Sequence, residues 1–186
     1  MEVAQQLFAA QGYPETTVDD IARAAGASRA TFYLHFKSKA ELMAALVDEF
    51  GPNAAEFYRA LDGILADGGQ KLPGRLRGWL ADLLALWSDD ARASHAFQQA
   101  TILEPEVELR HLSLSQALIG CLERYLESMP AAEGAAVRDR LLVLELMTQR
   151  AFALAGRSML PIADDSLLDI LTGMWLQVLG LGERDS

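Results

Sequence analysis

The residues best suited to bind a charged partner are concentrated in one short stretch near the start of the chain. Arg29, Lys37 and Lys39 fall within eleven residues that contain no aspartate or glutamate, and hydrogen-bonding side chains such as Tyr33 and His35 lie between them. Cations alternating with polar side chains suit contact with phosphate groups and with the polar edges of bases. The stretch therefore forms a local basic face, although charge alone does not identify its partner.

The chain as a whole is acidic, with a net charge of −10 over 186 residues. Residues 1–50 hold four cations and seven acids, so this part carries −3 and the remainder carries −7. Because phosphate neutralisation dominates the affinity of proteins for nucleic acid, this balance weighs against general DNA binding. Only the placement of the cations in the basic face favours it.

Residues that could support catalysis or hold a metal do not fall into a known motif. The candidates are His35, His95, His111, Cys121 and the glutamates. The sequence has no HExxH, no GxSxG, no phosphate-binding loop and no metal-ligand spacing. We therefore expect a protein that is not an enzyme and that uses no metal or cofactor.

Composition predicts a cytoplasmic protein with a substantial core. Hydrophobic residues make up 51% of the chain, and Cys121 has no second cysteine with which to form a disulfide, which is typical of a reducing compartment. No uncharged apolar stretch reaches the roughly 18 residues of a membrane span. The first residues also lack the pattern of a signal peptide.

Apolar residues recur at helical spacing almost throughout, which predicts an all-α fold of about nine helices. Thr17 (with Asp20), Ser28 and Ser38 are placed to cap three of the early helices. Pro52 lies inside the fourth helix, so we expect a kink or break at about residue 50 and a helix again to about residue 66. Further helices are predicted at about 74–88, 92–103, 106–128, 134–159 and 165–181.

The stretch from Thr17 to Lys39 has the pattern of two short helices joined by a tight turn. Gly26 lies where such a turn needs a left-handed residue. Phe32 and Phe36 are four residues apart and share one face, on which they can pack under the preceding helices. The remaining side chains are then free to point into a major groove, as in a helix-turn-helix.

The segment TVDDIARAAGASRATFYLHFKSKAEL closely resembles the DNA-binding signature of the TetR family, and AQQLFAAQGYPETT resembles its first helix and entry turn. The resemblance implies an N-terminal three-helix DNA-binding domain at 1–47 and a ligand-binding and dimerisation domain at 48–186. It implies a repressor that binds a palindromic double-stranded operator as a homodimer and is released by a small hydrophobic effector. Its DNA-binding positions correspond to Thr17, Ser28, Arg29, Ala30, Thr31, Tyr33, His35 and Lys39.

Among these residues, Arg29 is the best suited to bidentate contact with guanine, and Ala30 could contact a thymine methyl group. Tyr33, His35 and Lys39 occupy positions that hold phosphates. Three plainer alternatives stay open. Tyr33 could pack against the domain core, His35 could be a structural hydrogen-bonding residue, and Arg29 could be a surface cation without a base contact. Family members commonly have a basic arm ahead of the first helix, whereas only acidic Glu2 precedes the apolar run here.

The later sequence, with LMTQRAFALAG and LLDILTGMWLQVLGLGE, resembles the EthR-like branch of this family, which implies a long hydrophobic ligand tunnel. Members of the branch tend to orient ligands with asparagine amides, whereas Glu145 and Thr148 stand here, so we expect a ligand of different polarity. The same aromatic spacing could instead fill a core. The predicted ligand-binding residues are Trp79, Leu83, Leu86, Trp87, Phe97, Thr101, Leu118, Leu122, Glu145, Met147, Thr148, Phe152 and Trp175.

The last two helices, at about 134–159 and 165–181, are apolar on more than one face and must be buried on two sides. The family resemblance implies that they pair with their two-fold mates in a homodimer. Alternatively, the second face meets other helices of the same chain. A helix-turn-helix protein controlled by a protein partner, without a small-molecule ligand, is the alternative function.

Overall fold

The computed structural model describes residues 1–89 and 91–181. Within these residues it contains ten α-helices and no strand, which confirms the predicted all-α fold. The helices are α1 (Glu2–Gln11), α2 (Val18–Ala24), α3 (Arg29–His35), α4 (Lys39–Asp67), α5 (Leu72–Asp89), α6 (Ala91–Leu103), α7 (Pro105–Gly120), α8 (Glu123–Glu127), α9 (Ala131–Ala155) and α10 (Asp164–Val178).

The fourth helix corrects one prediction. α4 continues from Lys39 to Asp67 with Pro52 inside it, so the helix is not broken at about residue 50, whereas a kink there stays a prediction. Gly51 explains why the helix tolerates the proline. A proline ring collides with the N–H and the Cβ of the residue before it, and glycine has no Cβ. Pro52 still lacks the N–H that would bond to the carbonyl of Asp48.

Packing divides the described residues into two compact units. The first comprises Met1–Pro52 and the described residues of Asp90–Leu114, and the second comprises Asn53–Asp89 and the described residues of Ser115–Ser186. The first unit is larger than the segment 1–47 assigned to DNA binding from the sequence, because α1 packs against α6. The functional division at residue 47 stays a prediction.

The core of the first unit is built where α1 meets α6. Phe8 of α1 and Ala100 of α6 are both buried there. Tyr13, in the loop after α1, is bonded to the end of α6 in two ways. Its backbone N–H donates to Gln99 Oε1 (3.0 Å), and its hydroxyl donates to Glu104 Oε1 (3.0 Å). Burial and the neighbouring Glu104 raise the pKa of Tyr13, so the hydroxyl remains a donor at neutral pH.

In the second unit, α5 packs against α9 and α10. Leu80 of α5 and Leu141 of α9 are fully buried in this core. At the surface, Arg77 of α5 donates to Asp165 (2.8 Å) and Asp169 (2.7 Å) of α10. Exposed ion pairs contribute little to stability, so the apolar contacts hold these helices together.

The predicted helix 106–128 is divided into α7 and α8. In the turn between them, the N–H of Leu122 donates to the carbonyl of Ile119 (3.2 Å), three residues back. The buried carboxylate of Asp62 on α4 then accepts the N–H groups of Arg124 (3.3 Å) and Tyr125 (2.9 Å) at the start of α8. The other late helices end within four residues of their predicted bounds.

Candidate nucleic-acid interface and ligand site

Thr17, the first predicted DNA contact, caps α2. Its hydroxyl accepts a hydrogen bond from the N–H of Asp20 (3.1 Å), and the Asp20 carboxylate accepts one from the N–H of Thr17 (3.1 Å). This reciprocal pair is the capping box that the sequence predicts. Hydrogen bonds from Thr17 lower the pKa of Asp20, which favours the charged carboxylate. Thr17 is exposed and can be reached by a phosphate of a bound partner.

α3, the predicted recognition helix, is anchored by a single buried side chain. Phe32 packs in the core of the first unit, with its ring centroid 5.4 Å from that of Tyr33 and 5.7 Å from that of Phe36. Ser28 caps the helix by accepting the N–H of Thr31 (3.0 Å). The other side chains of this helix are exposed: Arg29, Ala30, Thr31, Tyr33, Leu34 and His35. α3 therefore presents most of its circumference to a partner.

The guanidinium of Arg29 already has partners in the isolated chain. It donates to the carboxylate of Asp19 (3.3 Å) and to the hydroxyl of Tyr33 (3.4 Å), and it lies 5.6 Å from the centroid of the Tyr33 ring. The Tyr33 hydrogen bond and the charge of Asp19 raise the pKa of Arg29. An exposed pair of this kind is weak, so Arg29 can exchange Asp19 for a base edge. Asp19 is a residue that the sequence analysis missed.

The structure gives Lys39 a role in the fold, and its predicted phosphate contact stays a prediction. Its ammonium group donates to the carbonyls of Tyr13 (2.7 Å) and Thr16 (2.9 Å) and lies 4.1 Å from the centroid of the Tyr13 ring. Burial lowers the pKa of Lys39, although Glu104 and Glu15 oppose this effect. Lys39 therefore holds the loop between α1 and α2 in place.

His35 lines an open cleft of about 730 Å³ in the first unit. Asp48, Glu106 and Arg110 line the same cleft, and Arg110 makes a two-point ion pair with Asp48, with both N–O distances 2.5 Å. The acids near His35 oppose a bound phosphate. Lys37, which lies outside the predicted set, is exposed, and its backbone N–H donates to the carboxylate of Glu41.

In the second unit, two of the predicted ligand residues form an aromatic centre. The rings of Trp79 and Trp175 meet edge to face at 5.5 Å, and Phe57 stacks on Trp79 at 4.9 Å. Trp79 donates its indole N–H to the carbonyl of Phe57 (3.1 Å), and Trp175 donates to the hydroxyl of Thr148 (3.1 Å). Thr148 in turn donates to the carbonyl of Leu144 (2.8 Å). The polar atoms of these residues are thus committed to the fold.

Glu145, by contrast, is a buried carboxyl group that is only partly satisfied. Its Oε1 accepts a hydrogen bond from Gln149 Nε2 (2.6 Å). Glu145 Oε2 and the hydroxyl of Tyr58 have no hydrogen-bond partner of normal geometry among residues 1–89 and 91–181, although the two groups are neighbours. Burial raises the pKa of Glu145, and the polar groups of Tyr58 and Gln149 oppose the rise. The ring of Tyr58 meets Trp79 edge to face at 5.3 Å.

Sequence reasoning missed Phe57, Tyr58 and Gln149 at this site. The sequence does contain a signal for Glu145, because it is the only acid in the otherwise apolar segment 141–147. A charged residue on the inward face of such a helix is seldom buried without a specific partner. No comparable local signal marks Tyr58, which reaches the site from α4.

The structure does not gather all the predicted ligand residues in one place. Phe97 and Thr101 belong to the first unit, where Phe97 meets the ring of His111 at 5.0 Å and Thr101 donates to the carbonyl of Gln98 (3.0 Å). The predicted side chains that lie buried in the second unit are Trp79, Leu83, Leu118, Leu122, Glu145, Thr148, Phe152 and Trp175. Those left partly or largely exposed are Leu86, Trp87 and Met147.

In the described part of the chain, no three histidine, cysteine, aspartate or glutamate side chains are grouped closely enough to hold a metal ion. No described helix combines the length and the apolar character needed to cross a membrane.

Comparison with known proteins supports the interpretation of the first unit. Residues 1–46 match the family described as bacterial regulatory proteins, tetR family. The chain is 27% identical to the HTH-type transcriptional regulator EthR of Mycolicibacterium smegmatis over 183 residues, which are 95% of this chain and 82% of that protein. It is 46% identical to the HTH-type transcriptional regulator TtgR of Pseudomonas putida over 60 residues, 32% of this chain and 29% of that protein.

Solved structures share the fold over nearly the whole chain. A TetR-like transcriptional regulator from Rhodococcus sp. RHA1 superposes with a TM-score of 0.58 at 23% identity, covering 96% of this chain and 92% of that one. A TetR family transcription regulator from Marinobacter aquaeolei VT8 gives a TM-score of 0.54 at 17% identity, covering 95% and 91%. The all-α arrangement with an N-terminal helix-turn-helix is therefore shared.

Proposed function

We propose that this chain is a transcriptional regulator of the TetR family, not an enzyme, and that it acts as a cytoplasmic repressor. It binds a palindromic operator as a homodimer and leaves the DNA when a small hydrophobic ligand binds. The observation that carries the proposal is the exposed surface of α3, where Arg29, Thr31 and Tyr33 surround the single buried anchor Phe32. A helix so presented suits the major groove.

Binding to the DNA upstream of the protein's own gene tests this proposal. We expect specific, salt-sensitive binding that Arg29→Ala weakens by about 1–3 kcal/mol, the usual size of one lost bidentate base contact. Tyr33→Ala should weaken it as well. Asp19→Asn should tighten binding, because it removes a negative charge that competes with DNA for Arg29.

Arg59→Ala, which removes an exposed cation from the second unit, is the matched control and should leave binding unchanged. The outcome that contradicts the proposal is absence of specific binding at low salt. Equal losses in Arg59→Ala and Arg29→Ala would also contradict it, because they would show a nonspecific effect of charge.

The second unit is proposed to receive the ligand, because its core contains the aromatic centre and the partly satisfied Glu145. α4 supplies residues to both units, with Asp48 in the first and Tyr58 in the second, so it is the element proposed to carry the signal. The ligand must bind more tightly to the form of the protein that does not bind DNA, because equal affinity for the two forms shifts nothing. Gly51 and Pro52 lie on this helix and are proposed to weaken the coupling.

The homodimer is proposed to form through the last two helices, predicted at 134–159 and 165–181. Val143 (60% exposed) and Met147 (52%) lie four residues apart on α9, and Ile170 (51%) lies on α10. Apolar side chains so exposed on adjacent helices are favourable to cover. A two-fold pairing of these helices would bury them and would place two copies of α3 on symmetric half-sites.

A further inference from the structure

The core of the second unit contains a buried carboxyl group and a buried hydroxyl that are not fully satisfied. Glu145 is 1% exposed and Tyr58 is 2% exposed. Glu145 Oε2 and the Tyr58 hydroxyl are neighbours, and neither has a hydrogen-bond partner of normal geometry within the described part of the chain. Buried polar atoms in native proteins are nearly always paired, because an unpaired one destabilises the fold. Two neighbouring exceptions need a functional explanation.

We propose that Glu145 and Tyr58 form the polar end of the ligand site and that the effector is a hydrophobic compound carrying a protonated amine. This inference rests on the proposed function, since it takes the second unit to be the effector domain. It goes further by naming the chemical class of the effector and the two side chains that recognise it.

The available atoms favour an ammonium group over other polar groups. An ammonium has three N–H donors and no acceptor, which complements a carboxylate oxygen and a phenolic oxygen. A charge-assisted hydrogen bond to Glu145 Oε2 is stronger than one from a neutral hydroxyl. An anionic effector would instead be repelled by the ionised carboxylate or would require it to remain protonated.

The surrounding rings strengthen the case for a cation. Tyr58, the neighbour of the carboxyl group, belongs to a cluster of three aromatic rings, because Tyr58 and Phe57 both contact Trp79, at 5.3 and 4.9 Å between centroids. Aromatic faces attract ammonium groups through the ring quadrupole, and they also pack well against a hydrophobic body. A carboxylate next to clustered rings therefore matches an amine with an apolar or aromatic substituent.

The neighbouring polar groups define the limits of the site. Trp175 donates a hydrogen bond to Thr148, so the polar groups of these two residues are not required to bind a ligand. Gln149 donates to Glu145 Oε1, which orients the carboxyl group and leaves Oε2 as the oxygen available to an effector. Because Glu145 is almost fully buried, an effector reaches it only after nearby side chains move, which lowers its apparent affinity.

Three probes that share one apolar body test the proposal: 4-phenylbutylamine, 4-phenylbutan-1-ol and 4-phenylbutyrate. Binding to the full chain is measured by calorimetry and by the shift in melting temperature, and release from the upstream DNA is measured in parallel. We expect the amine to bind about ten- to a hundredfold more tightly than the alcohol, the ratio that corresponds to one hydrogen bond to a charged group. The acid should not bind measurably.

Two variants assign the preference to the proposed residues. Glu145→Gln keeps the size and the hydrogen-bonding capacity of the side chain, so it should fold and should bind the amine and the alcohol about equally. Tyr58→Phe should weaken amine binding while preserving the preference for charge. Glu133→Gln removes the same charge from an exposed position on α9 and should leave the preference intact.

Equal affinity of the wild-type chain for amine and alcohol would overturn the proposal, and so would a preference for the amine that survives in Glu145→Gln. These results would indicate that the two polar groups are bridged by water and only support the fold. If the alcohol or the acid binds best and releases DNA, the effector class is wrong but the proposed function stands. Failure to bind the upstream DNA at all contradicts the proposed function separately from the probe series.

Discussion

Lys39 is a partly buried cation that supports the loop between α1 and α2. Its ammonium group donates to the carbonyls of Tyr13 and Thr16. Those carbonyls close the loop that leads into α2, so the cation positions the helix-turn-helix indirectly. Lys37, two residues earlier, is exposed. The two lysines therefore form a natural pair for comparison.

Lys39→Met and Lys37→Met should have opposite consequences. We expect Lys39→Met to lower the free energy of unfolding by about 1–3 kcal/mol, because two carbonyls lose a partly buried donor. It should leave the salt dependence of DNA binding unchanged. Lys37→Met should hardly affect stability, and it should reduce the slope of log K against log salt by about one if Lys37 contacts a phosphate. Urea denaturation and salt titration of DNA binding measure both quantities.

A reduced salt slope in Lys39→Met, with unchanged stability, would show that Lys39 turns outward to hold a phosphate. The contact of Lys39 with the carbonyls of Tyr13 and Thr16 would then exist only when DNA is not bound.

Glu145 makes the stability of the chain depend on pH in a defined direction. Its pKa in the folded chain is raised by burial above the ordinary value of 4.5. The folded chain therefore holds this proton more tightly than the unfolded chain does, and the contribution to stability is lost as pH rises through the raised pKa. Tyr58 and Gln149 face the same carboxyl group, and Cys121 acts on Tyr58.

Glu145→Gln should consequently stabilise the chain at pH values above the raised pKa, by about 1–3 kcal/mol, because the buried unpaired charge is gone. The advantage should shrink as the pH is lowered toward the ordinary carboxyl range. Chemical denaturation across this pH range measures it, with Glu133→Gln as the control for net charge. A destabilised Glu145→Gln at high pH would indicate that the carboxylate already has a good partner.

At the scale of helices, the features that the sequence predicted correctly are those made by near neighbours in the chain. The caps of α2 and α3 depend on side chains three residues apart, and both are present. The start of α8 depends instead on Asp62, about sixty positions earlier in the chain. Such a distant partner produces no pattern in the sequence near α8. The partners of Phe97 are of the same long-range kind, because periodicity shows that a face is buried but does not identify what buries it.

Pro52 offers a test of α4 as an element. Pro52→Ala restores an N–H that can bond to the carbonyl of Asp48, so we expect the free energy of unfolding to rise by about 1–3 kcal/mol. Greater freedom of the unfolded chain offsets part of this gain. Urea denaturation measures the change, and Asn53→Ala, at the next exposed position, is the control.

The same variant tests whether α4 transmits the signal. If Gly51 and Pro52 weaken the coupling, Pro52→Ala should change the effector concentration that releases DNA. Induction identical to that of the wild type would count against this role for the proline.

At the scale of the whole molecule, the exposed apolar side chains of α9 and α10 predict self-association. Val143→Glu places a charge on the proposed two-fold surface, where it would face its own mate, and should shift the population from dimer to monomer in sedimentation velocity. DNA affinity should fall with it, because half-sites are no longer read together. Leu109→Glu changes an equally exposed leucine in the first unit and should remain dimeric. A Val143→Glu variant that remained dimeric would show that the dimer interface lies elsewhere.

The bonds from Tyr13 to Gln99 and Glu104 have a consequence for engineering. A chimeric regulator could be assembled by grafting a contiguous DNA-binding segment onto a different ligand-binding domain. Here a graft that ended near residue 47 would leave behind α6, which covers Phe8 and fastens the loop before α2. The proposed DNA-binding unit is discontinuous in sequence, so a transferable segment must include residues 91–114 or supply another helix that buries the same face of α1.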